Sequence, residues 1–254
     1  MSGALRRGWP AAVALVGLCA IWELVVRLSG VDPHVLPAPS EIALSAWSDR
    51  ASLLQSTWTT AWEGMAGFVL GIAVALPFSA SVAASRTLDR AVMPLLIISQ
   101  AIPLIAIGPL FLIWFGFGSL SKVLIVAVLA VFPIVVAAAR GLRDADPAQQ
   151  RMAASLGASR WWILVHVTGA GAAPSLFSGI RISAAYVLGS AATAEYLGSR
   201  GGLGIYLMAA QSGFRTDLVF AAAAVLTVGT LLLLWLVGVA ERLLIPSTRR
   251  GMTQ

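Results

Sequence analysis

The stretch "QQRMAASLGASRWWILVHV", residues 149–167, decides how this chain is read. The sequence around it is 59% hydrophobic and only 11% charged. This segment nevertheless carries Arg151, Arg160, a Trp161-Trp162 pair and Gly157, between one apolar run long enough to cross a bilayer and another. Asp146-Pro147-Ala148-Gln149 has the features of a helix start: Asp146 can cap, Pro147 suits the first helical position, and Gln149 stands three residues after the cap. The helix should reach about Leu156, where Gly157 can take the left-handed conformation that ends it. Ser159 can then cap a second helix whose tryptophans suit a membrane–water boundary. The small residues Ala153, Ala154 and Ser155 would let another protein approach closely. A connector lying in the membrane surface is the other reading of the same pattern.

Working outward, the apolar runs are too long and too continuous for a soluble domain, and the mean hydropathy is +0.88. Backbone polar groups in hydrocarbon must be satisfied internally, so spans are helices or a closed barrel, and runs without strict alternation exclude the barrel. The expectation is an all-α membrane protein with about six spans, near residues 9–28, 61–84, 92–113, 119–139, 172–194 and 217–240. Residues 29–40, with Pro33, Pro37 and Pro39, form a loop. Pro77, Pro94, Pro103, Pro109, Pro133 and Pro174 should kink the spans that hold them. The first run, ending in Glu23 and Arg27, reads as a retained helix and not as a cleaved leader. The single cysteine, Cys19, leaves no internal disulfide or cysteine-ligated metal.

Orientation follows from the positive charges. With the N-terminus inside, Arg6, Arg7, Arg86, Arg90, Arg140, Arg143, Arg151, Arg160, Arg242, Arg249 and Arg250 fall inside. Arg27, Arg50, Lys122, Arg200 and Arg215 fall outside, so both termini are expected in the cytoplasm. The opening stretch then occupies the longest cytoplasmic connection. The net charge of +6 is dispersed between apolar runs, which fits membrane topology and no nucleic-acid partner.

Chemistry is conspicuously sparse. No G-x-x-x-x-G-K-[ST] loop occurs, and His34 and His166 fall in different compartments, so neither ATP hydrolysis nor metal catalysis has a constellation. No metal or other cofactor is expected in this chain. The costly polar groups in the apolar runs are Glu23, Glu63, Gln100, Arg181 and Glu195. Glu23, Glu63 and Glu195 are read as snorkelling to an interface or as structural pairs, and Arg181 as facing headgroups or the connecting loop. Ser99 and Gln100, beside Ile102-Pro103, are candidates to line a passage, the alternative being a helix–helix hydrogen bond. Gly198, Gly201, Gly202 and Gly204 permit a tight turn after Glu195.

The segment "RMAASLGASRWWILVHVTGAGAAP" resembles the cytoplasmic loop of permease subunits of bacterial ATP-binding-cassette importers. Anchored on Gly157, that family's Glu-Ala-Ala falls on Arg151, Met152 and Ala153, its aliphatic position on Val167, and its Leu-Pro on Gly169-Ala170. The family's glutamate is thus replaced by arginine here, so any ion pair it makes cannot be transferred. "LPAPSEI", "SQAIPLIAIGPLFLIWFGFGSLSKVLIV" (99–126), "FPIVV", "GLRDADP", "LFSGIRIS" and "AEYLGSRGGLG" continue the resemblance along nearly the whole chain. They are similar to the branch handling nitrate, sulfonates, taurine, riboflavin and thiamine precursors; "SQAIP", "FSGIRISAAY" and "AEYLG" look closer to its thiamine-precursor and riboflavin permeases than to the taurine ones, with nitrate, sulfonate, taurine or another small organic anion the alternative solute.

The resemblance implies a type I importer permease of the bacterial inner membrane. Its coupling helix, about 147–160, would dock an ATPase through Arg151, Ala153, Ala154, Leu156, Gly157 and Ala158. It also implies two ATPase subunits that bind ATP and Mg, a second permease copy, a periplasmic or lipid-anchored binding protein, and alternating access. Glu195, Gly198, Gly202 and Gly204 would belong to an outer gate or binding-protein-facing region. An ATP-independent carrier or channel is the competing class; it would more often show paired broken helices or an ion-coupling acid.

Overall fold

The computed structural model describes the backbone over residues 2–245, with side chains at 9, 10 and 13–245. The charges of Arg6, Arg7, Arg249 and Arg250 used for orientation lie outside the described residues. Among those described, the regular structure is entirely helical. In chain order the helices are α1 (Ser2–Ser29), α2 (Pro39–Ser48), α3 (Arg50–Ala84), α4 (Arg86–Ser99), α5 (Leu104–Phe115), α6 (Ser119–Arg143), α7 (Pro147–Ser155), α8 (Arg160–Ile163), α9 (Ala170–Gly198), α10 (Leu203–Ser212) and α11 (Thr216–Leu244). A π-helical turn, Leu164–Gly169, joins α8 to α9.

Four stretches are long and apolar enough to cross a membrane: α3, α6, the run Arg160–Gly198, and α11. The expected first span lies within α1. The expected third span, 92–113, is not one helix. It is broken at residues 100–103, and its halves, α4 and α5, meet at 101°. The cause is Pro103, which supplies no N–H to continue α4 and holds an extended φ, ψ of −63°, 132° ahead of α5. Pro77, Pro94, Pro109, Pro133 and Pro174 remain inside their helices.

The core is built where α3, α6 and α9 pack most extensively against one another. Small residues make that approach possible. A Cβ added to Gly67 on α3 would lie 2.6 Å from the Cβ of Val126 on α6, and one on Gly179 of α9 would lie 2.8 Å from the Pro133 carbonyl. The remaining volume is filled by Phe68, Ile134, Val135, Phe177, Ala184 and Val187, with Leu233 and Val237 of α11 closing one side. Ser183 donates to the Ala130 carbonyl at 2.8 Å, so its buried hydroxyl is satisfied next to the proline of α6.

One end of this bundle carries α7 and α8; the other carries α2, α10 and the loops around them. At the α7 end, Arg143 pairs with Asp89 and Arg181 with Glu241, tying α6 to α4 and α9 to α11. Arg181 therefore meets a carboxylate, where headgroups or loop were expected.

Candidate functional site

Three features carry polar groups in unusual places. The first is a stripe on α9. Ser175, Ser178, Ile182, Tyr186, Gly189 and Thr193 recur every three or four residues, with Ser190 beside Gly189, so they share one helical face. At about 1.5 Å per residue the stripe rises roughly 27 Å, close to the thickness of a hydrocarbon core. Two cavities that share Gln100, Pro133 and Tyr186 follow it, one of about 440 Å³ toward the α7 end and one of about 480 Å³ toward the α10 end. Tyr186 stands 65% exposed in the single chain, although its level is the middle of α9.

The α4–α5 break faces this stripe. Ser99 and Gln100 line it together with Leu129, Phe132 and Pro133 of α6, level with the midpoints of both long helices. Ser99 is spent locally, donating to the Leu96 carbonyl at 2.7 Å, whereas the Gln100 side chain is exposed in the cavity. Irregular backbone at membrane depth is tolerated only where protein covers it or where it lines a water-filled space. The sequence pointed to Gln100; it did not point to the α9 stripe, whose signal is the 3–4 spacing of hydroxyl residues through "SLFSGIRISAAYVLGSAAT".

The second feature is a buried node toward the α10 end. Glu63 and Glu195, read as snorkelling or structurally paired, are 1% and 0% exposed, so snorkelling is excluded by position. Glu195 Oε2 accepts the Gly204 N–H at 2.8 Å and lies 3.0 Å from the Thr60 hydroxyl, which in turn accepts the Leu203 N–H at 2.8 Å. Thr60 also sits 3.1 Å from the Ser56 carbonyl, and its one proton serves one of these two acceptors. A Cβ on Gly202, whose φ is +99°, would fall 2.3–2.4 Å from the Glu195 carboxylate. A Cβ on Gly204 would meet the Ala192 carbonyl at 2.0 Å.

Gly198 packs on Leu112 and Phe117, where a Cβ would come within 2.7 Å and 3.0 Å. The glycines thus let the 199–202 turn close over Glu195 and dock α10 onto α3 and α9. Tyr206 extends the docking by donating to Asp49 at 2.7 Å; burial, with the Asp49 carboxylate beside it, pushes the phenol above its ordinary range and keeps it a donor. Glu195, which the resemblance assigns to an outer gate or binding-protein-facing region, is wholly enclosed in this conformation.

Lys122, counted with the outside charges, is also enclosed: it is 2% exposed and gives its ammonium to the Phe117 carbonyl at 3.0 Å. Glu23, by contrast, is a structural pair. It binds Arg27 at 2.6 Å and the Ser40 N–H at 3.0 Å, clipping α1 to α2. Thr60→Val removes the acceptor of the buried Leu203 N–H and should cost about 1–3 kcal/mol. A fall of several degrees in the melting temperature of the purified protein is the expected reading, with Thr57→Val near wild type as a partly buried control.

The third feature is the segment at 146–167. Asp146 accepts the Ala148 N–H at 2.8 Å and Ser159 the Trp162 N–H at 3.2 Å, so each caps the helix expected of it. Gly157, at φ +85°, ends α7 with paired bonds, Gly157 N–H to Ala154 O at 3.0 Å and Ala158 N–H to Ala153 O at 3.1 Å. Ala153 is turned inward, 8% exposed, so it seats α7 on the bundle while still lining the floor of the groove beside it. Arg151, Ala154 and Gly157 are exposed, and Ala158 is half-buried.

The sequence did not single out Met152, which is 62% exposed, beside Leu156 at 81%. These two open, with Gln149, Trp162 and His166, onto a groove of about 740 Å³. Trp162 stacks on His166 with ring centroids 4.7 Å apart, fixing the groove's far wall. Exposed Met and Leu side by side are adaptable contact surface, and contiguous exposed apolar area marks interaction sites.

Residues 67–250 match the family described as the binding-protein-dependent transport system inner membrane component. The chain belongs to that family. This permease is 37% identical to the riboflavin transport system permease protein RibX of Chloroflexus aurantiacus, over 94% of its own length and 91% of the relative's. It is 31% identical to the formylaminopyrimidine transport permease protein ThiX of Halalkalibacterium halodurans, over 90% and 92%. The fold is that of a chain of the MetNI methionine ABC transporter in inward-facing conformations, with a TM-score of 0.67 at 19% identity, covering 77% of this chain and 97% of that one. The protein is therefore a multi-pass membrane permease for a small solute, a non-catalytic subunit of an ABC transporter whose ATPase is a separate chain. Among the described residues no group of three or more His, Cys, Asp and Glu side chains is arranged to hold a metal ion.

Proposed function

We propose that this permease pairs with a second copy of itself and conducts a vitamin-like heterocyclic solute, a riboflavin or thiamine-pyrimidine precursor, along the α9 stripe. The observation that carries this reading is the stripe together with the α4–α5 break. Hydroxyl groups, an amide and a phenol line the two cavities at the level of the apolar spans, and Gln100, Ser178 and Tyr186 are exposed there in one chain. A symmetric second copy would cover the stripe and enclose a wet passage. The relatives named for riboflavin and formylaminopyrimidine support the solute class.

The groove at Met152 and Leu156 serves as the ATPase-docking surface, one ATPase beneath each copy, with ATP and Mg held by the ATPases. On this reading α7 and both termini are cytoplasmic, and a binding protein delivers solute at the α10 end. Alternating access follows from closure of the two ATPases under the paired α7 helices.

The test is uptake into proteoliposomes containing the permease, its ATPase and its binding protein. ATP-dependent accumulation of labelled riboflavin or formylaminopyrimidine is expected. Accumulation of taurine or an alkanesulfonate instead would move the solute to the anionic side of the same branch. ATP-independent uptake would overturn the importer. Gln100→Leu should lower solute uptake about tenfold, the size of one lost polar contact in a passage at about 1.4 kcal/mol, while leaving assembly intact by size-exclusion chromatography.

A further inference from the structure

Three arginines, Arg140, Arg143 and Arg181, stand toward the α7 ends of α6 and α9, and their surroundings differ. Arg143 is neutralised by Asp89, and Arg181 by Glu241. Arg140 has no ion pair among the described residues, and it is the one that lines the 440 Å³ cavity. Its neighbours there are Gln100, Ser175, Ser178 and Tyr186, with no carboxylate in the wall. Asp144, the residue that caps the end of α6, bonds the Arg140 carbonyl through its own N–H at 3.0 Å and makes no ion pair with the guanidinium. Of these three arginines, two are paired with carboxylates and the third lines the cavity along the polar stripe.

Resting on the pathway reading above, we propose that Arg140 is a specificity-determining residue that makes the α7-end mouth of the passage electropositive. An unpaired cation in a low-dielectric wall projects its field into the opening, and cationic rings of this kind favour anions and oppose cations. In a two-fold pair the charge is doubled. The solute that leaves by this mouth is accordingly neutral or anionic, and a permanently cationic solute is disfavoured.

The experiment uses the full-length permease in its detergent-solubilised complex, where both faces are open. Cys19→Ser removes the only native thiol, and Ser178→Cys places a reporter in the same cavity wall as Arg140. The reporter is modified by an ethylsulfonate methanethiosulfonate and, separately, by its ethyltrimethylammonium counterpart, with each rate normalised to a free thiol. The anion-to-cation rate ratio should fall about fivefold in Arg140→Gln, the scale of one unit charge acting through water at several ångströms on probes of opposite sign. Arg140→Lys should keep the ratio, because charge and not shape sets it. Reaction with both probes at a ratio unchanged by Arg140→Gln overturns the role of Arg140 and leaves the passage standing. A reporter thiol that reacts with neither probe overturns the passage itself, and this proposal with it.

Discussion

Gly157→Trp should leave the permease folded and membrane-inserted but abolish its capture of the ATPase. Nothing lies within 4 Å of a Cβ built on Gly157, so the fold itself does not exclude a side chain there. Two effects then add at the docking surface. The residue sits at φ +85°, which strains any L-amino acid by about 1–2 kcal/mol. The indole would also stand beside Leu156 and Met152 at the mouth of the 740 Å³ groove. Overfilling a packed contact costs about 1–3 kcal/mol, equivalent to roughly 5–150-fold in affinity. Gly157→Ala separates the terms, since it carries the strain without the bulk and should retain most ATPase binding. Leu156→Asp attacks the same surface without touching the backbone and should match the tryptophan variant. Surface plasmon resonance of purified ATPase on immobilised permease reads all three.

Gly204→Ala is expected to be the most damaging single methyl addition in the chain. The new Cβ would lie 2.0 Å from the Ala192 carbonyl, 2.7 Å from the Glu195 Cβ and 2.7 Å from the Tyr196 nitrogen. Two of these are backbone atoms of α9, so no rotamer change relieves them. Either α10 lifts off, or α9 bends. Lifting α10 breaks the Gly204–Glu195 and Leu203–Thr60 bonds and strands a fully buried carboxylate. Each buried polar group left unsatisfied in this way costs about 1–3 kcal/mol, so the pair of losses takes a large share of ordinary stability. Aggregation or loss of the monodisperse peak in detergent is the expected result. Gly201→Ala, three residues earlier and with nothing within 4 Å, should behave as wild type. Equal behaviour of the two variants would show that the node does not hold α10.

These two glycines also show what was legible in the sequence. Gly157 was readable because its role is local: a cap residue, a proline and a glycine at helical spacing specify the end of α7 without reference to the rest of the fold. The helix starts at Asp146 and Ser159 were readable for the same reason. For Glu195 the sequence left snorkelling and a structural partnership both open, and for Gly204 it pointed to a tight turn without its neighbours. Whether a glutamate at a span end snorkels or is enclosed depends on α3 and α10, more than a hundred residues and nine residues away. Ala153 shows the same limit, because a small residue on a short helix looks the same whether it seats that helix or greets a partner.

The third span fell to a different competition. From Val92 to Ile113 only Ser99 and Gln100 interrupt the apolar run, so the sequence reads as one span kinked at Pro103; the helix is instead divided there at 101°. That break brings Gln100 to the α9 stripe. The stripe is written in "SLFSGIRISAAYVLGSAAT", but its meaning emerges only once α6 is seen to bury the opposite face of α9.

The central claim is a paired permease that docks one ATPase on each α7 groove. Native mass spectrometry of the tagged wild-type chain, released from its membranes in mild detergent, tests it most directly. The account predicts a single assembly of two permease copies and two copies of a nucleotide-binding ATPase, with the ATPase mass missing when Gly157→Trp is analysed alongside. A wild-type permease that emerges only as one copy, with no nucleotide-binding chain under conditions that keep other such transporters whole, would contradict it.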